Sequence, residues 1–190
     1  MILSYFGGGS FRLQSGDTSL LLDPENNRLK ADLTLRTLTD AENPFAGAEQ
    51  GAAISFPGEY EIKGIEITGF AVSDESTEKF IKTAYAVGWE EMKFVFLGHL
   101  SRPVDAALME EFGDPDVLIL PAGGGHFLDP EVAAKIAKQL EARIVVPSFC
   151  KDPDEFLKAL GQKAEKAEKF VFREKDIAGE KGRPVVLSAA

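Results

Sequence analysis

The sequence of 190 residues contains one cysteine, Cys150, and two histidines, His99 and His126. A single cysteine excludes a disulfide within this chain. With so few thiols and imidazoles, a zinc site held by several protein ligands is difficult to assemble. The low numbers of cysteine and histidine therefore argue against disulfide bonding within the chain and against a zinc site with several protein ligands.

Basic residues and long apolar runs are also scarce. The chain has 21 Lys and Arg against 31 Asp and Glu, a net charge of −10. Nucleic acids and anionic membranes are bound by clustered Lys and Arg, so we expect neither as a partner. No segment approaches the roughly 20 apolar residues that span a bilayer, and residues 1–6 do not resemble a signal peptide. These features predict a soluble cytoplasmic protein.

The overall composition is that of a globular domain. Hydrophobic residues make up 44% of the chain and charged residues 27%, and the length suffices for a sizeable core. No low-complexity segment or Pro/Ser-rich linker marks a boundary. We therefore expect one domain over residues 1–190, with halves of different pattern at roughly 1–95 and 96–190.

The first half has the pattern of a β-meander. Three short apolar strands at residues 2–6, 11–14 and 19–22 are separated by Gly-containing turns. The segment 75–82 is charged and is predicted to be exposed, whereas 46–52 is too short and Gly-rich for a confident helix. Further strands are predicted at 53–54, 61–63, 65–67, 83–87 and 93–97, with the last two paired.

The second half alternates strands and helices. The apolar run at 117–120 predicts a strand covered on both faces, and a second strand follows at 144–146. Helices are predicted at 104–112, from Asp129 onward with Val132, Ile136 and Leu140 buried, and from Asp152 to Gly161 with Glu155 completing a capping box. Final strands are expected at 169–173 and 185–187. Together the two halves predict two sheets packed face to face, with helices outside.

The most informative polar segment is residues 31–44. A short strand with Leu33 and Leu35 leads into a predicted loop at 36–43, which Pro44 closes. In α/β proteins, loops at the carboxyl ends of strands usually carry the chemistry. This loop offers hydroxyls, carboxylates and an amide, but no histidine or cysteine; its polar members are Thr37, Thr39, Asp40, Glu42 and Asn43.

Several short segments, in this order, resemble the metallo-β-lactamase fold in its compact branch of Zn-dependent hydrolases. The opening YFGGGSF at residues 5–11 is similar to the family's Gly-His-Ser start, with Gly8 in place of the histidine. The other matching segments are LLDP (21–24), PGEYEIKG (57–64), LGHL (97–100), DVLILPAGG (116–124) and RIVVP (143–147). The resemblance implies an α/β (α+β), four-layer αβ/βα sandwich of two mixed β-sheets with helices on the outer faces.

The resemblance also implies one or two zinc ions, which lower the pKa of a bound water to near 7. The family's His-x-His-x-Asp-His motif falls on residues 37–42, and the family's remaining metal ligands fall on three positions later in the chain. The implied ligand positions are Thr37, Thr39, Ala41, Glu42, Ser73 (just before Asp74), His99 and Phe149. Alanine and phenylalanine have no donor atom, and neutral hydroxyls are poor zinc ligands. We therefore expect no metal or other cofactor.

Other candidate groups each have a structural alternative. His99 and His126 lie in loops that follow strands, and Cys150 would be a nucleophile only beside one of these imidazoles; a buried, inert thiol is the alternative. Residues 123–125 could bind an anion through backbone N–H groups or form only a tight turn. The carboxylates of Asp40, Glu42, Glu59 and Asp74 could bind a hard cation, with Arg102 neutralising one of them, or be solvated.

Three functional hypotheses follow. The first is a non-catalytic member of the fold that binds an unknown small molecule or protein, with homo-oligomers possible. The second is a metal-dependent hydrolase with a rearranged site built from His99, His126, Glu42 and Asp74. The third is metal-independent catalysis by Cys150 with a histidine. The sequence favours the first, and it leaves open whether the pocket of the implied zinc site is open or filled by Phe149.

Overall fold

The computed structural model describes residues 1–43, 52–164 and 166–190. The expectations for residues 46–51 and for Pro44 lie outside the described residues. The strands are β1 (Ile2–Gly7), β2 (Ser10–Ser15), β3 (Thr18–Leu22), β4 (Leu33–Leu35), β5 (Leu38–Asp40), β6 (Ala52–Ile54), β7 (Gly58–Ile62), β8 (Ile65–Ala71), β9 (Phe80–Trp89), β10 (Met92–Phe96), β11 (Val117–Pro121), β12 (Ile144–Ser148), β13 (Lys166–Ala167), β14 (Lys169–Val171), β15 (Arg183–Pro184) and β16 (Val186–Leu187). The helices are α1 (Ala106–Phe112), α2 (Pro130–Gln139), α3 (Asp154–Leu160) and α4 (Glu174–Ile177), with a 3₁₀ turn at Ser73–Glu75.

The first sheet contains the predicted meander. Its strand order is β14-β1-β2-β3-β4-β6. β1, β2 and β3 pair antiparallel, and the register places Leu3 opposite Leu13 and Leu13 opposite Leu20. These three leucines are buried, because alternate side chains of paired strands point to the same face. The meander prediction is confirmed.

The second sheet has the order β15-β12-β11-β10-β9-β8-β7, with β5 added beside β9. β10, β11 and β12 are parallel, and β9 pairs antiparallel with β10 as predicted. In β11, Val117 and Ile119 face the core between the sheets, whereas Leu118 and Leu120 face the core under the helices. The predicted sandwich of two mixed sheets with outer helices is confirmed.

Three local predictions were wrong. Residues 38–40 are not loop but the strand β5, in which Thr39 lies opposite Ile81 of β9; its β-branched side chain suits a strand. Residues 75–82 are not a uniformly exposed segment, because the Glu75 side chain is 4% exposed and bound by the Lys82 ammonium. Glu155 does not complete a capping box, because the helix begins after Pro153 without a side-chain cap.

Helix ends otherwise follow the sequence signals closely. α1 begins at Ala106, two residues later than predicted, because the Asp105 carboxylate caps it by accepting the Leu108 N–H. α3 ends at Gly161, which adopts the left-handed conformation that suits glycine. None of the helices in the described residues has the length and apolarity needed to cross a membrane.

Candidate functional site

Loops from both sheets meet at one site. The turn after β1 contributes Gly8 and Gly9, the segment between β4 and β5 contributes Thr37, and the loop after β10 contributes His99. The loop after β12 contacts the turn after β1, since the Phe149 N–H donates to the Gly8 carbonyl at 2.9 Å. The site therefore forms where strand ends converge, as expected for this class of fold.

A hydrogen-bonded polar triad of Asp23, Thr37 and His99 lies at the centre of the site. The Asp23 carboxylate accepts the Thr37 backbone N–H at 2.7 Å and the Thr37 hydroxyl at 2.5 Å. The same hydroxyl oxygen lies 2.8 Å from His99 Nδ1. Gly98 permits this approach, because a Cβ built on it would lie 2.1 Å from Thr37 Oγ1. The triad thus connects three separate segments of the chain.

Burial shifts both titratable members of the triad. It raises the pKa of Asp23, against the opposing effects of His99, the hydrogen bonds from Thr37 and the charge of Arg36. It lowers the pKa of His99, against the attraction of Asp23 and with a further lowering by Lys82. Since a free histidine has a pKa near 6.5, His99 is a neutral imidazole at pH 7.

An aromatic pair, Phe127 and Phe149, lies against the triad. The two rings stack with centroids 4.2 Å apart, and the Phe149 ring lies 4.6 Å from the His99 ring. A Cβ on Gly9 would lie 2.1 Å from Phe149 Cζ, and one on Gly123 would lie 2.0 Å from the Phe149 carbonyl oxygen. Glycine at these two positions therefore makes room for Phe149.

The remaining predicted residues of the 37–42 segment take other roles. Thr39 is buried and donates its hydroxyl to the Ser55 carbonyl at 2.9 Å. Asp40 and Glu42 are exposed, and the Asp40 carboxylate accepts the Glu42 backbone N–H. Their positions give neither carboxylate a contact with the triad.

Ser73, Asp74 and Arg102 line a different, small cavity of about 150 Å³. In the described residues, the Arg102 side chain forms no ion pair with Asp40, Glu42 or Asp74. Its backbone N–H instead donates to the buried Glu75 carboxylate. The predicted neutralising role of Arg102 is thus not observed.

His126 and Cys150 border a cleft of about 520 Å³ beside the aromatic pair, together with the glycines at 123–125. His126 is exposed, whereas Cys150 is half-buried. Burial, reinforced by the charge of Asp152, raises the pKa of the Cys150 thiol. A raised pKa disfavours the thiolate, so this environment does not activate Cys150 as a nucleophile.

Within the described parts of the chain, no three His, Cys, Asp or Glu side chains come close enough together to hold a metal ion. The four residues proposed for a rearranged metal site, His99, His126, Glu42 and Asp74, are thus not gathered there. Glu59, the other candidate carboxylate, is exposed on the edge strand β7.

Two residues of the site were missed from the sequence. Asp23 was interpreted only as the end of β3, although an acidic residue directly after three buried leucines signals a buried carboxylate that needs donors. Phe127 follows His126 in a glycine-rich loop and carries no local signal of its stacking on Phe149.

Comparisons with known proteins show the family to which the chain belongs. The sequence model of the beta-lactamase superfamily domain matches residues 2–148. Metal-dependent hydrolases from Methanopyrus kandleri and Thermococcus onnurineus are 28% and 30% identical over 125 and 120 residues, which are 58% and 57% of this chain. The matches span only 54% of the length of each of these curated relatives.

Solved structures show the same fold. A protein from Thermotoga maritima, described as a Zn-dependent hydrolase of the metallo-beta-lactamase superfamily, has a TM-score of 0.81 and 25% identity, covering 98% of this chain and 97% of its own. A metallo hydrolase from Ignicoccus hospitalis has a TM-score of 0.67 and 20% identity, covering 90% and 99%. Because the family model matches well over half of the sequence, this chain belongs to the beta-lactamase superfamily.

Proposed function

We propose that this protein is a member of the metallo-β-lactamase fold that has lost its zinc site and serves as a non-catalytic scaffold for a small-molecule or protein ligand. One observation carries the proposal. Thr37, at the first implied ligand position, is closed into the polar triad, and the ring of Phe149, at the last implied position, lies against that triad. Side chains that are hydrogen-bonded to one another and packed against a phenyl ring form a poor coordination sphere for zinc.

The chemistry of the donors supports the same conclusion. Zinc prefers thiolate, imidazole and carboxylate ligands. The matched positions supply two threonine hydroxyls, which are engaged with Asp23 and with the Ser55 carbonyl, and a single imidazole at His99. The other two donors are the exposed carboxylate of Glu42 and the hydroxyl of Ser73, which lines a separate cavity. The side chains of Ala41 and Phe149 supply no donor atom for a metal. The residues present therefore do not fit the zinc site of the family.

The alternative is a metal-dependent hydrolase with a rearranged site. It is favoured by the names of the relatives, which are metal-dependent hydrolases. It is opposed by the dispersion of His99, His126, Glu42 and Asp74 over the triad, the glycine-rich loop, an exposed turn and a separate cavity.

Zinc binding by untagged protein distinguishes the two. After dialysis against a chelator, we expect calorimetric titration with zinc to give a dissociation constant weaker than about 1 mM, with a rise in melting temperature below about 1 °C at 100 μM zinc. Submicromolar, stoichiometric zinc binding would contradict the proposal. In that case His99→Asn and His126→Asn, measured in parallel, would show whether the rearranged set holds the ion.

A further inference from the structure

We propose that the site recognises its ligand through an O–H or N–H donor, which hydrogen-bonds to Nε2 of His99. This inference rests on the proposed binding role of the site and specifies the class of ligand. Its basis is the direction in which the protons of the polar triad must point.

The triad determines where the imidazole proton of His99 lies. Asp23 receives two hydrogen bonds from Thr37, one from the backbone N–H at Oδ1 and one from the hydroxyl at Oδ2. Two donors on one carboxyl group favour its ionised form, which only accepts hydrogen bonds. Because the Thr37 hydroxyl donates its hydrogen bond to Asp23, its oxygen can only accept from His99 Nδ1, which lies 2.8 Å away. His99 therefore carries its proton on Nδ1 and an unprotonated lone pair on Nε2.

Among the described residues, the Nε2 atom of His99 has no hydrogen-bond partner and is not one of the buried unpartnered side-chain atoms, so a ligand can reach it. The imidazole ring of His99 is packed beside the Phe149 ring, yet 21% of the His99 side-chain surface is exposed. Within the described residues, the ring forms its hydrogen bond at Nδ1 alone. A carboxylate that draws on the opposite nitrogen through a hydroxyl makes Nε2 a better acceptor, as carboxylates do behind metal-bound histidines.

The surroundings indicate which donors fit. With its proton on Nδ1, the imidazole of His99 presents a lone pair at Nε2, so it attracts a donor without requiring a negative charge on the ligand. The aromatic pair offers phenyl surface beside it, on which a flat ring stacks favourably. A neutral aromatic compound with a hydroxyl or N–H group, such as a phenol, combines both features.

Thr37 and Asp23 act as positioning residues in this arrangement, since neither contacts the ligand. If Asp23 were protonated instead, both hydrogen bonds would run in the opposite direction and Nε2 would carry the proton. The tautomer of His99 therefore tests the inference directly, and nitrogen NMR of histidine-labelled protein measures it. The chain has only two histidines, so both rings can be assigned, and the exposed His126 serves as an internal reference.

At pH 7.5 we expect His99 in the Nδ1–H tautomer, retained in Thr37→Ser and lost in Thr37→Val. The backbone amide spectrum of each variant establishes that it is folded. Phenol should shift the His99 Nε2 signal saturably, whereas anisole, in which a methyl group replaces the donated proton, should bind about three- to tenfold more weakly.

An Nε2–H tautomer in the wild-type protein, equal affinity for phenol and anisole, or no phenol-dependent shift of His99 would each overturn the inference. Zinc titration of the same sample separates this failure from that of the proposed function. Tight zinc binding refutes the non-catalytic scaffold, whereas weak zinc binding with the wrong tautomer refutes only the assigned ligand class.

Discussion

The ring of Phe149 occupies its place only because residue 9 is a glycine, and Gly9→Ala tests this. The added Cβ would lie 2.1 Å from Phe149 Cζ and 2.4 Å from Cε2. Non-bonded carbon atoms prefer separations of about 3.5–4.0 Å, so the ring or the turn would have to move by roughly 1.5 Å. The stacked Phe127 ring at 4.2 Å and the His99 ring at 4.6 Å limit that movement.

Overpacking of this kind costs about 1–3 kcal/mol, and we expect Gly9→Ala to lower the free energy of unfolding by that amount. In a chain of this size, 1 kcal/mol corresponds to about 2–4 °C in melting temperature. Urea denaturation measures the change as a shift of the midpoint at constant slope. Gly179→Ala is the matched control, because a Cβ there meets no atom within 4 Å; we expect a change within about 0.5 kcal/mol.

The double variant assigns the cost to the ring. Phe149→Ala removes the atoms that the new methyl group would meet, so Gly9→Ala should cost less than about 0.5 kcal/mol in that background. If Gly9→Ala is equally costly with and without the Phe149 ring, the strain lies in the turn itself, and the argument that Phe149 fills this site is wrong.

Substitutions at three further residues test the charges and hydrogen bonds. Thr37→Val should lower the free energy of unfolding by about 1–3 kcal/mol, because the buried Asp23 carboxylate loses a donor, whereas Thr37→Ser should retain most of it; thermal melts compare the two. His99 should make stability pH-dependent: its lowered pKa means that the unfolded chain protonates first, so stability is lost as the pH falls below about 6.5, with a limiting slope of about 1.4 kcal/mol per pH unit. Urea midpoints from pH 5 to 8 should show this loss relative to His99→Asn, whose amide does not titrate; parallel curves would refute it. Glu75→Gln should cost roughly 3–5 kcal/mol in urea unfolding at pH 7, since it leaves the part-buried Lys82 ammonium without its partner; a change under about 1 kcal/mol would show that the pair is dispensable.

The fold could be predicted where the signal is local. Alternating leucines in the meander, and the uninterrupted apolar run of β11 that faces two cores, specify strands from neighbouring residues alone. The family resemblance then supplied the arrangement of two mixed sheets with helices on the outer faces. Helix ends were less predictable. Gly161 follows α3 as its residue type suggests, but α1 begins two residues later than predicted, after Asp105, and Asp152 and Glu155 did not form the expected cap.

The site could be predicted only in part, because its contacts are long-range. The sequence placed Thr37, His99 and Phe149 at corresponding positions of the family motif. It could not show that Asp23, 14 residues before Thr37, accepts hydrogen bonds from both the backbone N–H and the hydroxyl of Thr37. Nor could it show that His99, 62 residues after Thr37, is hydrogen-bonded to the same hydroxyl. Glu75 was misjudged for the same reason, since its donors at Ser101 and Arg102 lie on a distant loop.

One residue of the polar triad and one of the aromatic pair have strained backbone conformations. Asp23 and Phe149 both have positive φ values, 40° and 52°, which side chains other than glycine rarely adopt. Such conformations cost of order 1–3 kcal/mol each and persist where the surroundings enforce them. At Asp23 the compensation comes from the two hydrogen bonds of Thr37, and at Phe149 it comes from the stacked ring and the bond to the Gly8 carbonyl. A glycine at either position would relieve the strain but lose the side-chain contacts, so the triad and the aromatic pair stabilise the two loops.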